Sequence, residues 1–261
     1  MSLLDLPTVT LCAATSVNVS ATLEAMERCL AQARFADAVL FTDAPTVPGH
    51  ASIRFERIEP LVSGEAYSQF MLAGLAGRIA SDHCLVTQWD GFIVDPGAWD
   101  PAFLDCDYVG APWPQFGDGW DVGNGGFSLR SRRLIEACAA PGFQRSHPED
   151  IAICRYNRPL LEAQGLRFAG RDLAARFAFE RDRTARGSFG FHGVFNLPDV
   201  VGADEFWRIY CELDDPSTAY LDGSAIRAAM LNGRNAHWRR TRFLFNRLLH
   251  SIERWRETSI R

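Results

Sequence analysis

Three short groupings and one histidine carry the residue types that could do chemistry. Gln88-Trp89-Asp90 interrupts the apolar run from Cys84 to Val94, which reads CLVTQWDGFIV. A buried strand that ends on a single carboxylate can present a metal ligand at the mouth of an α/β sheet. Asp90 followed by Gly91 is also the start of a turn, and on this stretch alone the turn reading leads. His147-Pro148-Glu149-Asp150 places an acidic pair ahead of an amphipathic stretch, Ile151 to Gln164. Proline at the first helical position with acids in the first turn is what a helix start needs on capping and dipole grounds. Facing a cleft, Asp150 or Glu149 would instead be a general base. His192 lies in FGFHGVFNL, between Gly190 and Gly193 and among aromatics. Lone histidines are more often structural, yet one contributed late in the chain to a carboxylate site is a recurring metal arrangement. The glycine-rich stretch GDGWDVGNGG, Gly117 to Gly126, is either a tight turn or a place where backbone passes close to a ligand. Trp113 and Trp120 lie near enough in sequence to stack on a sugar ring there.

The elements that must position these residues follow from hydrophobic patterning. Thr8 to Ala14 is apolar and β-prone and reads as a first buried strand. Ser20 can cap a helix whose Leu23, Met26, Leu30 and Ala33 recur at helical spacing. Ala38 to Phe41 reads as a second strand, Ser52 to Ile58 as a third, Glu65 to Ala80 as a second helix, and Cys84 to Thr87 as the next strand. Tyr108 to Trp113 reads as a short strand running into a Pro-Trp turn, and Ser131 to Ala139 as a helix. Such alternation predicts a parallel-rich sheet with helices on its faces, and ligands bind such sheets at the carboxyl ends of the strands. Thr15, Asp43 and the Gln88-Trp89-Asp90 group are the polar residues at those ends. No dinucleotide fingerprint follows the first strand and no Walker-type phosphate loop occurs, which disfavours both readings.

The 261 residues carry a net charge of −5, and all 27 basic residues are arginine. The absence of lysine excludes Schiff-base and Walker-lysine chemistry. Seven cysteines, odd in number and without a CxxC pair, indicate neither a zinc site nor a disulfide framework. No apolar run is long enough to span a bilayer and no signal peptide is visible, so a cytoplasmic location is expected. From Arg234 onward, eight arginines against Glu253 and Glu257 give the tail +6, which leaves −11 on the rest of the chain. Trp238, Phe245, Leu248, Leu249, Ile252 and Trp255 recur there at helical spacing. That tail is an amphipathic helix packed on the body or one lying on an anionic membrane surface, here the inner face of the membrane. Nucleic acid is not an expected partner, because the body is acidic and no recognition module is visible.

In their order, YSQFML (Tyr67 to Leu72), QWDGFIV (Gln88 to Val94), YVGAPW (Tyr108 to Trp113), GNGGFSLRS (Gly123 to Ser131), PEDIAICR (Pro148 to Arg155) and FGFHG (Phe189 to Gly193) resemble a GT-A-type glycosyltransferase. More narrowly, they resemble a largely bacterial glycosyltransferase-like family, over roughly Thr8 to Pro198. The resemblance implies an α/β GT-A-like catalytic domain over residues 1–200, with a mixed, mostly parallel sheet and helices on both faces. Residues 201–261 would be a C-terminal helical extension with a basic amphipathic tail. It implies a hexosyltransferase-like enzyme moving a sugar from a nucleotide-sugar donor to a glycan or lipid-linked acceptor, as in cell-surface polysaccharide synthesis, with inversion. Asp90 would be the retained aspartate of the DxD element and His192 the late ligand, together holding Mn²⁺ or Mg²⁺ on the donor diphosphate. Gln88 replaces the first acid of that element, and the literal Asp105-Cys106-Asp107 is its rival. Asp150, with Glu149 beside it, would be the base toward the acceptor hydroxyl. Ala14, Thr15, Asp43, Arg57, Tyr67, Gln88 and Trp89 would contact the donor; Trp113, Asn124, Gly125 and Gly126 would contact the sugar or acceptor. Arg57 and Arg130 could help to meet the diphosphate charge. The alternative is a non-catalytic sugar- or nucleotide-binding protein on the same fold.

Overall fold

A computed structural model of the chain describes residues 3–45, 51–182, 187–230 and 234–259, the side chains of 253–259 excepted. It divides into two compact units, Met1–His192 and Gly193–Arg261.

The first unit is built on a six-stranded sheet. Its strands are β1 (Leu4–Ala14), β2 (Ala33–Thr42), β3 (Arg54–Arg57), β4 (His83–Thr87), β6 (Tyr108–Val109) and β9 (Phe127–Ser131). Their order is β3-β2-β1-β4-β9-β6. The first four run parallel; β9 is antiparallel to both β4 and β6. The chain therefore winds outward from β1 through β2 to β3, then returns to the other side of β1 with β4. That reversal opens a crevice at the carboxyl ends of β1 and β4, where ligands of open α/β sheets bind.

All five residues of β4 are buried, as a central parallel strand requires. Cys12, Val39, Phe41 and Val86 face one side and pack on Met71, Leu75 and Ile135. These last belong to the segment after α2 (Gly64–Gln69) and to α3 (Arg132–Ala139). Helix α1 (Val19–Leu30) lies against β1, β2 and β4 but contributes none of its buried residues to that cluster, so it covers the opposite face.

Two smaller sheets complete the unit. β5 (Gly91–Ile93) pairs antiparallel with β11 (Gly190–His192), and β11 lies parallel to β10 (Ala178–Phe179). β7 (Ala111–Pro112) pairs with β8 (Val122–Gly123). Behind β11, Phe177 packs on Phe103, Phe127 and Phe189 with ring centroids 5.2, 5.4 and 5.9 Å apart. This aromatic layer fixes the strand that carries His192.

Several expected elements differ. Tyr108 to Trp113 is not one strand: β6 and β7 fall in different sheets, and Ala33, expected on the first helix, opens β2. Helix α1 starts one residue before Ser20, after Asn18 in the left-handed conformation, and Ser20 lies within it. The stretch expected as one helix from Glu65 to Ala80 is α2 followed by a wider helical turn, Phe70–Gly74. Ile151 to Gln164 is likewise not one helix. α4 (Glu149–Ile151) widens over Ala152–Tyr156 and stops at Asn157, and α5 (Arg158–Ala163) restarts with Pro159 in its first turn. The Asn157 amide bonds the Ala152 carbonyl at 2.9 Å, and Pro159 cannot donate to a continuing helix. Pro148 caps α4 and is not its first helical residue.

α6 (Arg171–Phe177) is the last helix of the first unit; the second unit is helical and holds α7 (Leu197–Val201), α8 (Ala203–Glu212), α9 (Ser217–Leu221), α10 (Gly223–Ala229) and α11 (Ala236–Ser259). The tail is thus helical as its spacing predicts. Among the described residues no helix is long and apolar enough to cross a membrane. The side chain of Trp255, expected in the tail's apolar pattern, lies outside the described residues.

Candidate functional site

The crevice end of the sheet collects most of the singled-out residues. Ala14 ends β1, and the Thr15 backbone N–H donates to the Phe41 carbonyl at 3.0 Å, tying the two strand ends together. Asp43 follows β2, and its Oδ1 is buried without a hydrogen-bond partner. Arg57 ends β3 and is exposed. After β4 the chain turns at once: Gly91 N–H donates to the Gln88 carbonyl at 3.1 Å, and Thr87 Oγ1 to the Gly91 carbonyl at 2.5 Å. Asp90 is both in a turn and buried at 6% exposure, so the two readings of that stretch do not exclude each other.

The pairing of β5 with β11 places Gly91 opposite His192. His192 Nε2 therefore lies 3.4 Å from Asp90 Oδ1 and 3.2 Å from Gln88 Oε1. Asp90 Oδ1 is buried, and among the described residues the long contact to His192 is what it has in place of a well-formed hydrogen bond. The Gln88 amide is oriented by donating Nε2–H to the Tyr67 hydroxyl at 2.8 Å. On the other edge of the imidazole, Nδ1 lies 3.5 Å from Glu180 Oε1. Burial alone would lower the His192 pKa, but the Asp90 charge and hydrogen bonds to Asp90 and Glu180 override it, and the group is raised to about 10. Without a cation present, His192 is the positive charge of this cluster.

Could these residues hold a divalent cation? Among the described residues no group of three or more His, Cys, Asp and Glu side chains is arranged for one. What exists is one buried carboxylate oxygen held only by a long contact to an imidazole Nε2, and an amide oxygen beside that same nitrogen, with a carboxylate behind the imidazole. A carboxylate on the far nitrogen is the usual outer-shell support of a ligating histidine. Small oxygen-seeking cations are commonly held by one or two protein groups plus substrate phosphates. The donor set fits that incomplete type and does not fit an all-protein cage.

A second cluster adjoins the first. Glu149 Oε1 accepts from Arg130 Nη2 at 3.1 Å, and both side chains are buried. Arg130 also donates to the Gly125 carbonyl at 3.2 Å and to Ser128 Oγ at 3.0 Å. Its guanidinium is 1% exposed and committed to this loop, so Arg130 is not presented to a diphosphate. Asp150 Oδ2 accepts from Gly125 N–H at 3.3 Å, and Oδ1 from Ile151 N–H at 2.8 Å. Burial and the adjacent Glu149 charge raise its pKa to about 6, against the opposing backbone hydrogen bonds and Arg130. Asp150 is thus a carboxylate that changes protonation close to neutrality.

The glycine stretch joins the two clusters. A Cβ at Gly125 would stand 2.0 Å from Glu149 Oε1, and one at Gly126 would stand 2.0 Å from His192 Nε2. Both positions require glycine because the backbone passes against the functional side chains themselves. Asn124 takes a left-handed φ of 70°, its Oδ1 accepts from Gly126 N–H at 3.1 Å, and its buried Nδ2 has no partner.

The remaining candidates are placed elsewhere. Trp113 is 5% exposed in the core, and a Cβ at Gly123 would strike its ring at 1.9 Å, so it offers no face to a sugar. Trp120 lies near Arg155, whose guanidinium is 5.7 Å from its ring. Trp89 is half-buried beside Asp90. In the rival motif, Asp107 is occupied: it accepts from Ser131 Oγ at 2.5 Å and from Arg167 N–H at 2.8 Å. It braces β9 and has no free oxygen for a cation. Glu180 was not among the sequence candidates; FAFERDR carries no signal that would single it out, because only strand pairing brings it to His192.

The family described as "Protein of unknown function (DUF5672)" matches residues 51–192. No curated protein matches the chain. Among solved structures, the galactosyltransferase LgtC in complex with donor and acceptor sugar analogs is similar at 13% identity, covering 79% of this chain and 96% of that one, with a TM-score of 0.42. A glycosyltransferase involved in glycosylation of the major capsid of PBCV-1 is 12% identical, covering 71% and 94%, at 0.45. The mannosyltransferase PcManGT from Pyrobaculum calidifontis, in complex with GDP-Man and Mn²⁺, is 12% identical, covering 97% and 78%, at 0.42. Likeness at this distance assigns no residue and no substrate.

Proposed function

The chain belongs to the DUF5672 family, and we propose that it is a GT-A-like glycosyltransferase that moves a sugar from a nucleotide-sugar donor to an acceptor hydroxyl. The observation that carries this reading is the pair of clusters joined by Gly125-Gly126. One offers a buried carboxylate oxygen weakly held by an imidazole; the other offers a carboxylate poised near neutrality. The first suits a cation-bound diphosphate, the second a proton acceptor.

In this reading Asp90 and His192, with Gln88, hold Mn²⁺ or Mg²⁺. When bound, the cation offsets the charge that develops on the departing diphosphate. Ala14, Thr15, Asp43, Arg57, Tyr67 and Trp89 line the donor side at the strand ends. Asn124, Gly125 and Gly126 line the sugar side, and their backbone fixes the distance between the two clusters. Asp150 takes the proton of the acceptor hydroxyl as its oxygen bonds to the anomeric carbon. The bond from that carbon to the diphosphate breaks, and the leaving group keeps the electron pair. One such displacement inverts the anomeric centre. Glu149, neutralised by Arg130, positions Asp150 and does not itself carry the proton. A glycan or lipid-linked acceptor remains part of the proposal.

A second reading is a sugar- or nucleotide-binding protein without turnover. The observation that favours it is the glutamine at 88 and the lack, among the described residues, of a three-ligand acidic cluster. The readings separate on turnover. Incubation with UDP-, GDP-, CMP- and dTDP-sugars and Mn²⁺ should release one nucleoside diphosphate or monophosphate, and Asp150→Asn should cut transfer at least tenfold while the fold is kept. Near-normal transfer by Asp150→Asn would remove it as the base. Absence of release from every donor would favour the binding protein.

A further inference from the structure

Among the described residues helix α11 has two apolar faces, one covered and the other largely exposed, with Trp238 at its start edge-on to Trp207 at 5.8 Å. On the covered face Phe243 is fully buried, with Tyr210 and Tyr220 at 5.3 and 5.5 Å. Asn246 Nδ2 donates to the Tyr210 hydroxyl at 3.1 Å, and His250 lies 5.2 Å from Tyr220. At about 100° per residue, Leu244, Leu248, Ile252, Phe245, Trp238 and Leu249 fall in one arc of roughly 140° opposite Phe243. Their exposures run from 40% at Ile252 to 58% at Phe245 and Leu248, so this is a continuous outer stripe of large apolar side chains. Scattered exposed leucines need no explanation, but a contiguous stripe does. Along one part of it, Trp238, Thr241, Arg242, Phe245 and Asn246 line an open groove of about 470 Å³.

Charge decides what covers the stripe. Residues 235–252 contain no acid. Arg234 and Arg239 are taken up by Asp204. Arg242 borders the stripe; Arg240 and Arg247 lie about 40° and 60° beyond its other edge, Arg247 with its guanidinium against Gly223, and none of the three is in an ion pair among the described residues. Arg242 also stacks over Trp238 at 5.3 Å. A second copy meeting this stripe would set arginines against arginines. An anionic lipid surface complements them: the aromatics sit at the interface, and the arginines reach phosphate headgroups with their stems along the apolar border.

We infer that the outer face of α11 is a docking surface for an anionic membrane, the helix lying in the plane of the interface. The inference is independent of the transferase reading, and its test uses neither donor nor cation. The full chain is floated with vesicles of phosphatidylcholine alone, or with about one-third phosphatidylglycerol. Arg242 and Arg240 at about fivefold each predict roughly a 25-fold preference for the anionic vesicles, lost in high salt. Phe245→Glu with Leu248→Glu should abolish binding while leaving the helical spectrum and melting temperature unchanged, since both residues are exposed. Replacing Arg240, Arg242 and Arg247 by glutamine should remove the preference and leave weak binding to both lipids. Equal partition into both vesicles, or binding by the double glutamate variant at wild-type strength, would overturn the inference. So would a dimer in solution that the double variant converts to monomer, with no vesicle binding.

Discussion

Cation binding to this chain should be strongly pH-dependent and should expel a proton. In the cation-free chain His192 carries a proton with a pKa of about 10, held by Asp90 at 3.4 Å and Glu180 at 3.5 Å. A ligating imidazole must offer the Nε2 lone pair, so the proton there has to leave. At pH 7.5 that competition lowers the cation affinity by roughly two to three orders of magnitude, about 3 kcal/mol, relative to a neutral imidazole. Affinity should therefore rise about tenfold per pH unit between roughly pH 6.5 and 8.5, below the His192 pKa. Calorimetric titration of Mn²⁺ with a nucleoside diphosphate, in buffers of different ionisation enthalpy, counts the protons released; about one per cation is expected. Glu180→Gln should lower the His192 pKa and so move the upper end of the pH-dependent range down. The folded-state value lies above the ordinary 6.5, so His192 stabilises the cation-free fold fully below about pH 6.5, and that contribution is lost as pH rises through about 10. Zero proton release with a flat affinity profile would refute the placing of His192 Nε2 on the cation.

Three further outcomes follow from the geometry. Gly126→Ala puts a methyl 2.0 Å from His192 Nε2, so it should displace the imidazole, cost about 1–3 kcal/mol in a urea titration and weaken cation binding. Glu149→Ala strands the buried Arg130 charge and should cost about 3–5 kcal/mol by the same assay, whereas Glu149→Gln should keep part of the hydrogen bonding and cost less. The acid limb of the transfer rate should have its midpoint near pH 6, the pKa of Asp150, and Asp150→Asn should lower the rate and remove that limb; a limb kept in the variant would assign it to another group.

The strands were the most legible part of the chain, because apolar runs such as HCLVT and TLCAA have no other stable place than a sheet interior. Parallel winding outward to β3 and back to β4 follows from the alternation of elements, and with it the crevice beside Gln88-Trp89-Asp90. Helix lengths were less legible. Asn157-Arg158-Pro159 interrupts the stretch from Ile151 to Gln164 by side-chain bonding and a missing donor, and periodicity is blind to both. The glycine pair at 125–126 reads as a turn until the side chains it must clear, Glu149 and His192, are in place. Trp113 shows the opposite failure. An aromatic beside a glycine-rich loop suggests a sugar face, but the ring packs inward on Gly123. Glu180 had no sequence signal at all, since its role comes from the pairing of β10 with β11.

The central claim is tested most directly by calorimetric titration of UDP, GDP, CMP and dTDP, each with and without Mn²⁺, on the wild-type chain and on Asp90→Ala. A nucleotide-sugar transferase built on this site predicts that one nucleotide binds, that Mn²⁺ strengthens the binding, and that Asp90→Ala removes the Mn²⁺ effect. Failure of every nucleotide to bind the correctly folded chain would contradict it.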